Sequence, residues 1–135
     1  MIRRFLGWLL FGIYLAVLLR LTVFRNGCFS HGLCSGRVVW VPFLYLAELV
    51  RRGNWNYFLY LFVGNLIWFM PLGFALKLFG LSFGRALLLG FGLSLLIETV
   101  QYVLGCGVSE VEDVILNTLG TGLGWLPALL IRRKQ

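Results

Sequence analysis

The sequence predicts an all-α, polytopic membrane protein: four transmembrane helices, with a short interfacial or re-entrant segment between helices 1 and 2. Three observations predict it. The 135 residues are 60% hydrophobic and 13% charged, with a mean hydropathy of +0.90. Four apolar runs approach the ~20 residues that a membrane-crossing helix needs. The basic residues sit mostly between and beside those runs. Soluble domains are roughly 45–50% apolar and ~25% charged. A chain this short has little interior in which to hide the excess, and its composition is the reverse of a disordered one. Residues 1–135 are therefore read as a single membrane domain.

The first run, residues 5–24, follows Arg3 and Arg4. It resembles the start of a signal peptide, but its apolar stretch is long and no small-residue cleavage site follows, so it is read as a retained span. The second, third and fourth spans are expected at residues 57–78, 86–104 and 111–131. The apolar stretch at residues 38–50 is too short to cross, contains Pro42, and leads into Arg51 and Arg52. It is the interfacial or re-entrant segment.

Charge sets the orientation. Arg3, Arg4, Arg132, Arg133 and Lys134 at the ends, and Lys77 and Arg85 between spans two and three, fall on one side. Arg25, Arg37, Arg51 and Arg52 fall on the other, with Arg20 near them at the end of span one. The larger group marks the cytoplasm, which places both termini there and the link at residues 105–110 outside. The net charge of +7 is thus topology and lipid headgroup contact. No basic stripe interleaved with stacking aromatics points to nucleic acid.

Polar groups at membrane depth are expensive, so each is a functional candidate. Glu98 and Gln101 share a face of span three. Asp113, Asn117, Gly120 and Gly124 form one stripe along span four, and Asn65 lies in span two ahead of Pro71 and Gly73. With the orientation above, Arg20, Asn65, Glu98, Gln101, Asp113 and Asn117 all fall toward the outer side. They are read as one ligand-binding cluster open to the outer leaflet. Glu98 and Asp113 are the candidate acid and base should the site be catalytic. The plainer alternative is that the amides glue the helices together and Glu98 pairs with Arg20. Gly73, Gly120 and Gly124 are helix-packing positions. Cys28, Cys34 and Cys106 fall in outward segments, where Cys28 and Cys34 either form a short-loop disulfide or stay free. His31 is the single histidine, so no metal site of the usual Cys/His kind and no cofactor is expected. The tryptophans and tyrosines near span ends read as an interfacial belt.

The polar runs resemble the VanZ-like family. Asn65-Leu-Ile-Trp-Phe69-Met-Pro71-Leu-Gly73 is similar to its N-x-x-x-F-x-P-x-G, and Glu98-Thr-Val-Gln101 to its E-x-x-Q. The run from Ser109 and Glu110 through Asp113, Asn117 and Thr118 to Gly120 is similar to its [ST]-[DE]-x-x-D-x-x-x-N-T-x-G. Pro42-Phe43 resembles the P-F of its first outer loop. These are small bacterial membrane proteins named for a member associated with low-level teicoplanin resistance. The resemblance implies a protein of the bacterial cytoplasmic membrane that lowers the access of lipoglycopeptides to the cell surface. Its implied partners are membrane lipids and an occupant of the polar cleft: the antibiotic, lipid II or a lipid-anchored wall polymer. Two alternatives stay open: an enzyme acting on a lipid-linked envelope substrate, and an accessory or transport subunit, as a homo-oligomer packed through Gly120 and Gly124.

Overall fold

The computed structural model describes residues 2–23, 33, 34, 36–105 and 107–131. Cys28, His31, Cys106, Arg25, Arg132, Arg133 and Lys134 lie outside them, and with Cys28 the choice between a disulfide and a free thiol at Cys34. Helices make up 78% of the described residues. In order come α1 (Ile2–Thr22), β1 (Arg37–Val39), α2 (Leu44–Arg51), α3 (Trp55–Leu78), α4 (Phe83–Leu104), β2 (Val108–Glu110), α5 (Val111–Trp125) and a 3-10 helix (Pro127–Leu130).

Among the described residues three helices are long and apolar enough to cross a membrane: α1, α3 and α4. They are apolar on nearly every face. Only 6% of the α1 span is buried in the chain, and 22% of each of the others. Exposed Phe, Leu, Ile and Trp on that scale require a lipid solvent. Threonines that would face lipid close onto their own helix. The hydroxyls of Thr22, Thr99 and Thr118 donate to the carbonyls of Leu18, Leu95 and Val114.

The expected fourth span is shorter as a helix. α5 holds 15 residues, with Glu112 and Asp113 in its first turn. Pro127 then opens the 3-10 helix, since its fixed φ and missing N–H suit a first-turn position.

α3 and α5 form the closest pair. A Cβ built on Gly73 would run into the Thr121 carbonyl, one on Gly120 into the Leu66 carbonyl, and one on Gly124 into the Met70 carbonyl. Backbone therefore meets backbone at three levels, which small residues alone allow. The glycine face of α5 is covered by α3 of the same chain. α4 closes on the pair at Gly90, where a Cβ would meet the side chain of Thr121. Leu18, Val23, Phe69, Leu72, Leu76, Ala86 and Ile97 form the main apolar core.

α3 continues through Pro71. A proline frees the carbonyl one turn earlier, and the Tyr14 hydroxyl donates to the neighbouring Trp68 carbonyl at 2.7 Å. At the same end of the bundle as Trp8 and Phe79, which stack at 4.2 Å, Lys77 lies over the Trp125 ring.

The segment at residues 38–50 divides in two. Its start is β1, paired in parallel with β2 so that Arg37, Val38 and Val39 face Val108, Ser109 and Glu110. Its remainder is α2, which lays Leu46 and Leu49 on Phe58, Leu61, Phe62 and Leu66. The other face of α2 carries Glu48, bonded to Arg51 and Arg52.

Candidate functional site

Polar side chains from α3, α4 and α5 meet at the end of the bundle that carries the β1–β2 pair. Glu98 is the centre. It sits two turns from the end of α4, 6% exposed, and its Oε2 accepts the Glu110 backbone N–H at 2.9 Å. One residue earlier, the Ser109 hydroxyl donates to the Glu98 carbonyl at 2.7 Å. The strand–helix junction after β2 is thus pinned to one turn of α4. Asp113 and Glu110 are charged neighbours of Glu98, and among the described residues no ion pair joins Glu98 to Arg20. The pairing of Glu98 with Arg20 that the sequence allows is not formed. Arg20 stands on the exposed side of α1.

Asp113 opens the buried stripe of α5. Its Oδ1 accepts the Asn65 amide of α3 at 2.5 Å. One turn on, the buried Asn117 amide donates to Ser94 Oγ of α4 at 2.8 Å, while its Oδ1 has no partner. Another turn on, the Thr121 hydroxyl closes onto the Asn117 carbonyl. The polar stripe therefore binds α3 at its level nearest the β1–β2 pair and α4 one turn further along. Gln101 turns the other way: its amide donates to the Thr22 carbonyl at the end of α1 at 3.0 Å, and its Oε1 is a second buried acceptor without a partner.

Glu112 is buried and faces the segment that leads into α2. Its Oε2 accepts the Phe43 N–H at 2.6 Å. Phe43 has φ 64°, in the left-handed region. A bulky residue there costs about 1–2 kcal/mol, so the Glu112 bond fixes an unfavourable turn at the entry to α2. One oxygen from each of Glu110, Glu112 and Asp113 lies within 4.8 Å of the others. Hard carboxylate oxygens of this kind suit a calcium- or magnesium-like cation rather than zinc.

Beside Glu98 a cleft of about 410 Å³ opens. α4 supplies Leu95, Glu98, Thr99 and Tyr102, and the paired strands with the start of α5 supply the facing wall, including Val38, Trp40, Ser109 and Glu110. Strand pairing builds this wall, because it carries Val38 and Trp40 over α4. Gly36 makes the approach feasible: a Cβ there would lie 2.6 Å from the Tyr102 Cα. Of the six residues expected to form the ligand-binding cluster, Glu98 alone is among the described lining of the cleft. Asn65, Gln101, Asp113 and Asn117 bind helices to one another around it.

Sequence reasoning missed Trp40, Tyr102, Ser94, Ser109 and Glu110 as parts of this region. Ser109 and Glu110 lie within the motif that precedes span four, and that was their one available signal. Trp40 and Tyr102 read as belt aromatics, and a serine in an apolar helix carries no mark of its partner.

No curated protein and no solved structure matches the chain. A family model described as VanZ/LLP1 matches residues 11–132. That stretch contains every helix but the first turns of α1, and all the polar groups described above. With nearly its whole length matched, the chain belongs to the VanZ/LLP1 family.

Proposed function

We propose that this protein supports low-level resistance to lipoglycopeptides such as teicoplanin, through a polar cleft that faces the outer leaflet and holds the antibiotic or a lipid-linked envelope component. The observation that carries the reading is the cleft itself: apolar walls converge on one buried acid, Glu98, whose position is fixed by the Glu110 amide. A site that is mostly apolar with one oriented polar group is how proteins hold amphiphiles.

In this reading the chain crosses the bacterial cytoplasmic membrane four times, with both termini in the cytoplasm. α5 and the 3-10 helix together run over residues 111–130. At 1.5 Å and 2.0 Å per residue that is about 30 Å, the thickness of the hydrocarbon core. α2 lies along the outer interface, with its leucines inward and Glu48, Arg51 and Arg52 at the headgroups.

A second reading is favoured by the closeness of Glu98 and Asp113. Two neighbouring carboxyl groups in unlike surroundings can divide the roles of acid and base on a lipid-linked substrate.

One experiment tests both. Susceptibility to teicoplanin and vancomycin is measured in a sensitive Gram-positive host carrying empty vector, wild type or Glu98→Gln, with membrane levels matched by blot. The expected result is protection by wild type, stronger for teicoplanin than for the lipid-free vancomycin, and lost in Glu98→Gln. Equal protection against both drugs counts against a lipid-dependent site. Full protection by Glu98→Gln removes Glu98 from either role.

A further inference from the structure

The end of the bundle away from Glu98 carries a second pocket, of about 340 Å³. It lies between the last turn of α3 and the 3-10 helix, with Lys77, Leu78 and Gly80 on one side and Ala128, Leu129 and Ile131 on the other. Specific contacts build it. The backbone N–H of Gly80 donates to the Lys77 carbonyl and that of Leu81 to the Leu76 carbonyl, with Gly80 at φ 89°. This turn takes up two of the last carbonyls of α3, which would otherwise face an entering anion. The Trp125 indole N–H donates to the Leu81 carbonyl at 3.1 Å, so the ring at the end of α5 is fixed to the same turn. The Lys77 ammonium lies 4.3 Å from the centre of that ring. An ammonium resting one face on an aromatic ring keeps N–H donors for a second acceptor.

Charge at this end has one sign. The acidic residues of the chain are Glu48, Glu98, Glu110, Glu112 and Asp113. They stand in α2, in the far half of α4, in β2 and in the first turn of α5, all toward the β1–β2 pair, so none falls at the pocket end. Arg85 stands in the first turn of α4. Arg3 and Arg4 stand in the first turn of α1, whose Trp8 stacks on Phe79 just beyond Lys77. The sequence continues from Ile131 with Arg132, Arg133 and Lys134. An anion is the complement of such a surface, and phosphate is the anion that lysine most readily receives as a point charge.

The apolar walls say how that phosphate is carried. Leu78, Leu129 and Ile131 are exposed beside Lys77. α3, which supplies Leu78, is apolar enough to span. The pocket thus opens where acyl chains lie, and a phosphate tethered to a lipid gains the apolar contact that a free one lacks. Basic pockets between membrane helices are where anionic head groups lodge.

We propose that this pocket binds the head of an anionic phospholipid, with Lys77 donating to the phosphate oxygens and an acyl chain lying on Leu129 and Ile131. The site is separate from the Glu98 cleft and stands whether or not that cleft holds an envelope component.

The test uses the full chain purified in a neutral maltoside detergent, with retained lipid counted by native mass spectrometry. The probes are dioleoyl phosphatidylglycerol, dioleoyl phosphatidylcholine and glycerol phosphate. Phosphatidylcholine keeps the phosphate and the chains but cancels the net charge. Wild type should retain phosphatidylglycerol roughly fivefold better than phosphatidylcholine, the preference that one basic side chain supplies at an anionic surface. Lys77→Gln should bring the two lipids level. Arg85→Gln removes the same charge from the same end, outside the described lining, and should keep the preference. Leu129→Trp leaves every charge in place and fills the pocket, so it should lose phosphatidylglycerol. Glycerol phosphate at the lipid's concentration should displace nothing.

Equal retention of the two lipids by wild type overturns the proposal. So does an Arg85→Gln loss as large as that of Lys77→Gln, which would mean diffuse surface charge. Full retention in Leu129→Trp overturns the pocket, and displacement by glycerol phosphate makes it a site for free anions. If Lys77→Gln does not fold, Leu129→Trp and the glycerol phosphate competition decide the matter.

Discussion

Replacing Gly124 by alanine adds one methyl group and should destabilise the protein out of proportion to its size. A Cβ at that position lies against three backbone atoms of α3: the Met70 carbonyl oxygen, its carbonyl carbon at 2.5 Å and its Cα at 2.6 Å. Ordinary contact begins at 3.4 Å. None of the three is a side chain that can rotate away, so α5 must retreat from α3 by about 1 Å. A gap of ~0.5–1 Å forfeits a quarter to a half of the dispersion energy of each contact that opens. Gly120 and Gly73 lie in the same seam, so the loss spreads along it. Overpacking a tight site costs about 1–3 kcal/mol, occasionally more. Alanine returns about 1 kcal/mol as the better helix former. A backbone-on-backbone clash belongs at the upper end of that range, which leaves a net loss of about 2 kcal/mol. For a chain of this size that corresponds to a fall in melting temperature of roughly 6–10 °C.

The assay is thermal unfolding in detergent, followed by circular dichroism, with Gly64→Ala and Gly92→Ala alongside. Both control glycines lie inside helices, and nothing stands within 4 Å of a Cβ built on either. They should melt at or above the wild-type temperature. A Gly124→Ala protein as stable as its controls would refute the close α3–α5 seam.

Three further outcomes follow from single contacts. Asn65→Leu removes the amide that Asp113 accepts and should cost about 1–2 kcal/mol, near the top of what membrane hydrogen bonds provide; in a double-mutant cycle with Asp113→Leu, the coupling should be of similar size, and additive losses would deny the bond. Trp125→Phe deletes the indole donor to the Leu81 carbonyl and weakens the ring under Lys77; a loss of about 1–2 kcal/mol is expected in the same melting assay. Glu48 is held below the ordinary carboxyl value of 4.5 by hydrogen bonds from Arg51 and Arg52. A depressed folded value means that its contribution is present at neutral pH and is lost as the pH falls below 4.5 through the folded value. Amide exchange in α2 should therefore rise in acid relative to Glu48→Gln, and 1 M salt should shrink the difference.

The second and third spans were legible because a run of about twenty mostly apolar residues admits one reading. Their starts lie earlier than expected. α3 begins at Trp55, where the Asn54 side chain accepts the Tyr57 N–H at 3.4 Å, a cap that hydropathy alone does not weigh. α4 begins at Phe83, before the basic Arg85 that hydropathy treats as a boundary. The β1–β2 pair was illegible. Each strand is three residues long, too short for alternation to show, and the partners are joined through α2, α3 and α4. Glu98 was marked by its cost in an apolar helix. Its partner, a backbone N–H, leaves no trace in residue identity. The same holds for Phe43, whose left-handed turn is imposed by Glu112 across the fold rather than by its own side chain.

The parallel strand pair also orders the assembly of the protein in time. β1 precedes α3 and α4 in the chain, while its partner β2 follows them. Until β2 is made, β1 lacks its partner strand and the wall of the cleft does not exist. Such long-range pairing carries its loop-closure entropy before it gains its bonds. The site is therefore finished last, and a chain halted within α4 is a bundle of helices without a binding wall. Docking of the Arg37–Val39 edge onto β2 is the step that completes the cleft wall.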